Sequence, residues 1–176
     1  LSQASMTGLN LNGAAHWYAD SFTATGSGFP FGPMAGPYDT VSGQFTDMFS
    51  PTGNVGGGLY ARDDSSPQFN GCEISDNISE YGGGCYLRSF SEPIMINTYV
   101  IDNTAANTGG GIVLKDDANL IADHLFVTGN ISEGLGGGLY VNNANPTFDF
   151  LLVANNSASS GGGIYIRSSS FPVFNN

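Results

Sequence analysis

Residues 74–88 read ISDNISEYGGGCYLR, and this stretch contains the two motifs that decide the fold. The first motif is an aliphatic residue three positions before an asparagine, here Ile74 and Asn77. The second is a glycine triplet, which begins at Gly82 and leads into a short alternating strand, Cys85–Leu87. Both motifs recur in a fixed phase along the chain, so the sequence is a structural repeat.

The repeat has a period of 25 to 27 residues, because glycine triplets begin at positions 56, 82, 109, 136 and 161. The aliphatic-x-x-Asn motif lies between successive triplets at Ile74–Asn77, Val100–Asn103, Val127–Asn130 and Val153–Asn156. Each repeat has room for three short strands and shows no helical periodicity, which is typical of one turn of a parallel β-helix. The L-x-x-L-x-L frame of leucine-rich repeats is absent, and a propeller blade needs about 40 residues. We therefore predict an all-β, right-handed parallel β-helix with about five coils over residues 54–176.

The strand after each triplet alternates between two kinds of residue, so its two faces are predicted to differ. The inward face is apolar, with Leu59, Cys85, Ile112, Leu139 and Ile164 followed by Ala61, Leu87, Leu114, Val141 and Ile166. The outward face carries Tyr60, Tyr86, Val113, Tyr140 and Tyr165 followed by Arg62, Arg88, Lys115, Asn142 and Arg167. All four basic residues of the protein therefore fall at one position of the repeat.

The glycines and asparagines have structural explanations. Glycine permits positive φ and close approach of neighbouring coils. Stacked asparagines can bond to one another along the axis, so we predict a structural ladder of Asn77, Asn103, Asn130 and Asn156. Asn77 and Asn130 also match the glycosylation sequon, but burial in a ladder argues against their modification.

At this point the pattern resembles a known family. The [Val/Ile]-x-x-Asn motif paired with Gly-Gly-Gly-[Leu/Ile/Cys]-Tyr is similar to the polymorphic outer-membrane protein repeat, defined by F-x-x-N and G-G-A-[I/L/V]. The resemblance covers about residues 54–176, with Val or Ile in place of the Phe and Gly in place of the Ala. It implies a surface-exposed β-helical passenger, adhesin or structural module, and it implies no catalytic residues.

The net charge of −11, from 15 acidic and 4 basic residues, excludes nucleic acid as an expected partner. No apolar run approaches the length of about 18 residues that a membrane span requires, so we expect no membrane insertion by this segment. The acidic, Lys-poor composition favours an extracellular or cell-surface location. The expected partners are further copies of the chain, end to end or laterally, other surface proteins, or a polysaccharide.

Residues 1–53 lack the repeat and are rich in aromatics, Gly and Pro, so we predict an N-terminal cap or irregular first coil there. The last coil includes apolar residues in the segment 171–174 that a complete coil would cover. We therefore expect the molecule to stack end to end or to belong to a longer β-helix.

Our first functional hypothesis is a non-enzymatic structural or adhesive module. The alternative is a carbohydrate-active β-helix, either a polysaccharide lyase or hydrolase or a polysaccharide-binding module. In that alternative the catalytic candidates are Asp63, Asp64, Asp116 and Asp117, which recur two coils apart at a separation of about 10 Å, near the range of inverting glycosidases. The competing interpretation is a solvated turn whose acids offset the adjacent basic residues.

The binding candidates are the outward tyrosines Tyr60, Tyr86, Tyr140 and Tyr165 and the basic residues Arg62, Arg88, Lys115 and Arg167. These side chains would stack on sugar rings or on another subunit, or the tyrosines would simply stack on one another.

Cys72 and Cys85 both map inward, where they would form either a disulfide or two buried thiols. We expect no metal site and no cofactor, although Ca²⁺ would suit the carbohydrate-active alternative. The calcium-binding nonapeptide repeat is not matched.

Overall fold

We describe the fold from a computed structural model, which describes residues 55–175 except residue 65, together with the backbone of strands within residues 4–49. The strands are β1 (Ala4–Met6), β2 (Leu9–Asn12), β3 (Ala19–Ser27), β4 (Thr40–Phe49), β5 (Leu59–Arg62), β6 (Gln68–Asn70), β7 (Glu73–Ser75), β8 (Ile78–Tyr81), β9 (Cys85–Arg88), β10 (Ile94–Ile101), β11 (Thr104–Thr108), β12 (Ile112–Lys115), β13 (Ile121–Thr128), β14 (Ile131–Ser132), β15 (Leu139–Asn142), β16 (Thr147–Ala154), β17 (Ile164–Arg167) and β18 (Val173–Asn175). Within these described parts of the chain there is no helix, and so no helix that could cross a bilayer.

The strands form two sheets, and every named pair is parallel. The first sheet contains only the strands that follow the glycine triplets and their N-terminal counterpart, in the order β17-β15-β12-β9-β5-β2. The second sheet has 12 strands and contains the remaining segments of each coil. Neighbouring strands of the repeats are one repeat apart, as in Ile112↔Leu139 and Val100↔Val127. The predicted parallel β-helix is therefore confirmed.

The long strands of the second sheet bend in the middle. The bend lies at Asn97 in β10, His124 in β13 and Phe150 in β16, and all three residues have positive φ, between 49° and 62°. Gly71 has the same conformation one coil earlier, between β6 and β7. A complete coil, such as that of β9, β10 and β11, therefore consists of a short strand, a bent long strand and a second short strand, which together enclose the core.

The core is a single column of apolar side chains along the axis. Residues predicted to face inward, such as Leu59, Leu87, Leu114 and Val141, are fully buried. The long strands add Met95, Val100, Val127 and Phe148, of which Phe148 stacks on Phe174 with ring centroids 5.4 Å apart. The period-two pattern of the sequence thus assigned the inward face correctly.

Asparagines at the end of each long strand are joined along the axis. The side-chain oxygen of Asn130 accepts hydrogen bonds from the backbone N–H and the Nδ2 of Asn103, both at 3.0 Å. The side-chain oxygen of Asn103 accepts the same two bonds from Asn77, and that of Asn156 accepts them from Asn130. Asn77, Asn103 and Asn130 are fully buried, so the ladder satisfies polar groups that would otherwise be costly inside the protein.

Glycine triplets bring neighbouring coils into backbone contact. The N–H groups of Gly136 and Gly137 donate to the carbonyls of Ser160 and Gly161 in the next coil, each bond 3.0 or 3.1 Å long. A Cβ added at Gly111 would lie 2.6 Å from the carbonyl oxygen of Gly138. The coils are therefore too close at this corner for any other side chain.

Coils of unequal length stay in register through local irregularities. β8 pairs with β11 through Ser79↔Ala105 and then Tyr81↔Thr108, so β11 contains one extra residue between these pairs. The extra residue is absorbed as a bulge, and the strands on either side keep their alignment.

The N-terminal strands join the same two sheets. β2 pairs with β5 through Leu9↔Leu59, and β4 pairs with β7 through Phe45↔Ile74. Residues 9–12, in which leucine and asparagine alternate, form β2. The boundary between a cap at 1–53 and the repeats at 54–176 stays a prediction, since much of that first segment lies outside the described residues.

We expect Gly111→Ala to destabilise the protein by about 1–3 kcal/mol, because the new methyl group forces two backbones apart. The matched control is Gly163→Ala at the same position of the triplet, where the nearest heavy atom to the new Cβ is 3.4 Å away, on Val153. That control should leave stability unchanged or raise it by up to about 1 kcal/mol. Urea unfolding of both variants checks this, and equal effects would contradict the packing described here.

We expect Asn130→Ala to cost at least about 3 kcal/mol, because it leaves the buried backbone N–H of Asn103 without its acceptor and removes the bonds that Asn130 Nδ2 donates to the carbonyls of Val100 and Thr128. Asn175→Ala is the control, since this exposed amide makes one surface bond, to Asp149 at 2.8 Å. Its effect should stay within about 0.5 kcal/mol. Hydrogen exchange gives a local readout: the Asn103 amide should lose protection in the first variant and keep it in the second.

Candidate binding groove

Strand register brings the outward residues of the first sheet into two rows. Val113 pairs with Tyr86 on one side and Tyr140 on the other, so one row is aromatic except at its centre. Lys115 likewise pairs with Arg88 and with Asn142, which places the basic residues in the adjacent row. Both rows run along the axis of the β-helix.

The tyrosine row is far less accessible than the alternation of the sequence predicts. Tyr86 and Tyr140 are each 6% exposed and Val113 is 1% exposed, while Tyr60 and Tyr165 are half-buried. Tyr140 stacks on Tyr165 and Tyr60 meets Tyr86 edge-on, both at 5.8 Å between centroids. The rings of the inner members therefore pack on neighbours, and their faces are not open to a sugar.

This burial comes from residues that the sequence analysis did not single out. The residue before each triplet folds onto the same outer face, because the first glycine has positive φ, as at Gly82 (63°). Val55, Tyr81 and Leu135 thereby pack against Tyr86, Val113 and Tyr140 in a small second apolar cluster outside the coil. The signal was present in the sequence, since the position before the triplet is apolar or aromatic in three of the five repeats.

A groove of about 380 Å³ lies above this cluster. The described residues that line it are Val55, Tyr81, Tyr86, Thr108, Val113, Lys115, Tyr140, Asn142 and Arg167. Of the predicted binding residues, the groove brings together Tyr86, Tyr140, Lys115 and Arg167. Tyr60, Tyr165, Arg62 and Arg88 lie in the same two rows but are not among these lining residues.

The ion pairs of the basic row lie beside the groove. Asp116 is 3.6 Å from Arg88 and 3.9 Å from Lys115, and Asp63 is 3.0 Å from Arg62. These side chains are each about 40% to 50% exposed, so the pairs contribute little stability. Within the described part of the chain no carboxylate lines the groove, whereas Lys115 and Arg167 do.

Two phenols in the groove are held neutral. Burial raises the pKa of Tyr86; the charge of Arg88 opposes this rise, and the charge of Asp116 adds to it. The hydrogen bond and the negative charge of Glu80 raise the pKa of Tyr81, whose hydroxyl also accepts a bond from Asn107 Nδ2 at 3.0 Å. Both hydroxyls are therefore protonated at physiological pH, and that of Tyr81 is already bonded to Glu80 and Asn107.

The four candidate catalytic aspartates occupy turn positions. Asp63 and Asp64 have φ of 56° and 61°, and Asp116 and Asp117 have φ of 54° and 63°. Ser89 and Phe90 adopt the same conformation in the coil between them. Asp tolerates the left-handed region better than most residues, so the turn itself explains why aspartate occurs here.

Both cysteines are buried, and the structure has thiols rather than a disulfide at Cys72 and Cys85. Burial raises the pKa of the Cys85 thiol well above its ordinary value, and the neighbouring Cys72 adds to the rise. A neutral, enclosed thiol is a poor nucleophile. Among the described residues no group of three or more His, Cys, Asp or Glu side chains is placed to hold a metal ion.

The corner of the long strands carries an exposed aromatic ridge that the sequence analysis missed. His124 stacks on Phe150, and beside them Tyr99 stacks on Phe126, each pair with centroids 4.7 Å apart. Phe150 is 55% exposed and has φ of 62°, which is unfavourable for a bulky residue. Because these residues lie inside a strand, sequence alternation gives no sign of the bend that exposes them.

Comparison with known proteins identifies the family. A family model described as "Right handed beta helix region" matches residues 40–176. No curated protein and no solved structure matches the sequence. The family model covers most of the chain and includes every glycine triplet and every asparagine of the ladder, so this protein belongs to the right-handed β-helix family.

Proposed function

We propose that this chain is a non-enzymatic structural or adhesive module that acts outside the cell or on its surface. The observation that carries the proposal is the groove along the axis, where phenol, hydroxyl, amide and cationic groups surround an apolar floor. Such a surface is suited to recognition, since a few polar groups fix a ligand above apolar contacts. The aromatic ridge on the long strands provides a second exposed surface for contact with other surface proteins.

The placement of the aspartates supports a module without catalysis. A general acid or base must be held within hydrogen-bonding reach of the substrate. Asp116 instead lies in a turn between two cations, and Asp63 lies in a turn beside Arg62. Polysaccharide lyase or hydrolase activity at these residues remains the alternative function, with Ca²⁺ as its expected ion.

We further propose that the repeats are relatives of the polymorphic outer-membrane protein repeat. In this chain, the asparagine of the first motif forms the buried ladder, and the glycines of the second allow close contact between coils. Both motifs therefore serve the same requirement, the stacking of coils. A cell-surface location follows from this relationship and agrees with the net charge of −11.

Incubation with a panel of neutral and acidic polysaccharides, with and without Ca²⁺, should give no new reducing ends and no unsaturated products. The physical reason is that all four aspartates are turn residues, and Asp63 and Asp116 are already paired with cations. Asp116→Ala should therefore change nothing in the same assay. Turnover that disappears in this variant would establish the enzymatic alternative.

Self-association end to end is a second proposal, and the coil at residues 161–175 favours it. Ile166 and Phe174 occupy core positions but are each 45% exposed, whereas their equivalents one coil earlier, Val141 and Phe148, are at most 1% exposed. In the coil below, Gly136 and Gly137 donate their N–H groups upward. By the same geometry, Gly161 and Gly162 present donors on the side that a further coil would occupy. A second copy offers strands of matching geometry at the opposite end of the sheets, where β1 and β2 lie.

Concentrated protein should form linear particles, because head-to-tail contact between unlike ends does not close. Light scattering and negative-stain microscopy measure this. Ile166→Lys should abolish the particles, whereas Ile121→Lys, at a residue of similar exposure (48%) on the side of the helix, should not. A monodisperse monomer at high concentration would contradict the proposal, and loss of particles only in the second variant would indicate lateral contact instead.

A further inference from the structure

We propose that the aromatic ridge on the long strands binds an arginine-rich segment of a partner protein. The ridge consists of Tyr99, His124, Phe126 and Phe150, on β10, β13 and β16. This inference rests on the proposed role as a surface module and names the chemistry of one partner. Three observations support it: the exposure of the ridge, the charge around it, and its size.

The fold does not require an aromatic residue at the bend of the long strands. Gly71 and Asn97 adopt the same positive φ in earlier coils, at 65° and 49°, and both types of residue tolerate that conformation. Phe150 instead holds a large apolar ring there, at φ of 62° and with 55% of its surface exposed. The bend itself therefore gives no reason for this ring.

The ridge continues into a wider apolar surface on the neighbouring row. Register places Tyr99 and Leu152 on either side of Phe126, and each of these two residues is 46% exposed. A folded chain rarely leaves several large apolar side chains exposed side by side unless they contact another molecule. The ridge is therefore a candidate docking surface.

The charge around the ridge favours a cationic partner. All four Lys and Arg residues of the protein lie on strands of the first sheet, so the second sheet, which carries the ridge, contains none. Asp123 and Asp149 are register partners beside the bend, with Asp123 50% exposed and Asp149 exposed. Glu73 is the register partner of Tyr99 on the next coil. Aromatic rings and carboxylates both attract a cation, so their combination here selects one.

The size of the ridge favours a segment with several cations over a single ammonium group. Its residues come from three successive coils about 4.8 Å apart, so it extends about 10 Å along the axis. Arginine suits this surface better than lysine, because a planar guanidinium stacks on aromatic rings and forms two parallel bonds to one carboxylate. Its apolar stem also covers exposed side chains such as Leu152.

A second copy of the chain is a poorer occupant of the ridge. Three of its four basic residues are already paired with Asp63 or Asp116. It would also bring a net charge of −11 to a surface that is already negative. An arginine-rich partner is instead steered toward the ridge by that charge.

The test is calorimetric titration of the whole chain with hexaarginine, with hexalysine as the peptide of equal charge. We expect saturable binding of hexaarginine that weakens with added salt. Binding of hexalysine should be at least about fivefold weaker, because an ammonium group lacks the planar face that stacks on a ring. Attraction by net charge alone would bind both peptides equally.

Paired aromatic variants locate the site. Phe150→Asn should weaken binding of hexaarginine by about two- to fivefold, the effect of one exposed cation–π contact. This variant should fold, because asparagine already occupies the bend at Asn97. Phe90→Asn is the matched control, since Phe90 has φ of 60° and is 61% exposed, but lies next to β9 of the first sheet. The control should bind hexaarginine as the parent does.

Paired carboxylate variants separate the ridge from the overall charge. Asp149→Asn should weaken binding of hexaarginine by about two- to fivefold, as expected for the loss of one exposed ion pair. Asp64→Asn removes the same charge from an exposed turn beside the first sheet, and it should bind as the parent does.

Four outcomes would overturn the proposal. Absence of hexaarginine binding would refute a cationic partner, and equal binding of hexalysine would refute the preference for arginine. Unchanged binding in Phe150→Asn would place the site elsewhere. Self-association that Phe150→Asn abolishes, measured by sedimentation, would make a second copy the occupant. The proposed surface module fails separately, if the chain does not attach to cell surfaces or if it turns over a polysaccharide.

Discussion

Close contact between successive coils is the constraint on which the rest of the structure depends. One coil has too few apolar side chains to offset the entropy lost on ordering its backbone, so it must share its core and hydrogen bonds with neighbours. The contact is tightest at the glycine corner, where a Cβ at Gly111 would lie 2.6 Å from a carbonyl oxygen. Only glycine satisfies that distance, and this explains why the triplet recurs in every repeat.

The same contact turns each position of the repeat into a row along the axis. Inside the coil, the row of Asn77, Asn103 and Asn130 is polar and fully bonded, next to rows of Leu, Val and Ile. Outside the coil, the tyrosines and the basic residues form continuous rows only because the coils align in register. A binding surface on this fold is therefore specified by how a single position varies from coil to coil, and Val113 in the tyrosine row is the clearest case.

The sequence predicted the fold and the core well, because both follow from periodicity. Alternation placed Leu139 and Val127 inside, and the spacing of glycines gave the register. The groove was predicted only in part. Alternation puts Tyr86 outside the coil, but it says nothing of Tyr81, which folds back across the glycine turn to cover it. Phe150 was missed for a similar reason, since a bend inside a strand leaves no periodic signal.

The bulge in β11 has a consequence for how such a protein changes in evolution. An extra residue there leaves every flanking pair aligned, because the ladder resumes at Tyr81↔Thr108. The same insertion at the start of β12 would turn Val113 and Lys115 toward the core. It would thereby interrupt the apolar, tyrosine and basic rows of the first sheet together. Whole coils can be duplicated without disturbing their neighbours, since each contact repeats itself. Lineages of this protein should therefore differ in the number of coils and in the length of this corner, while the strands after the glycine triplets keep a fixed length.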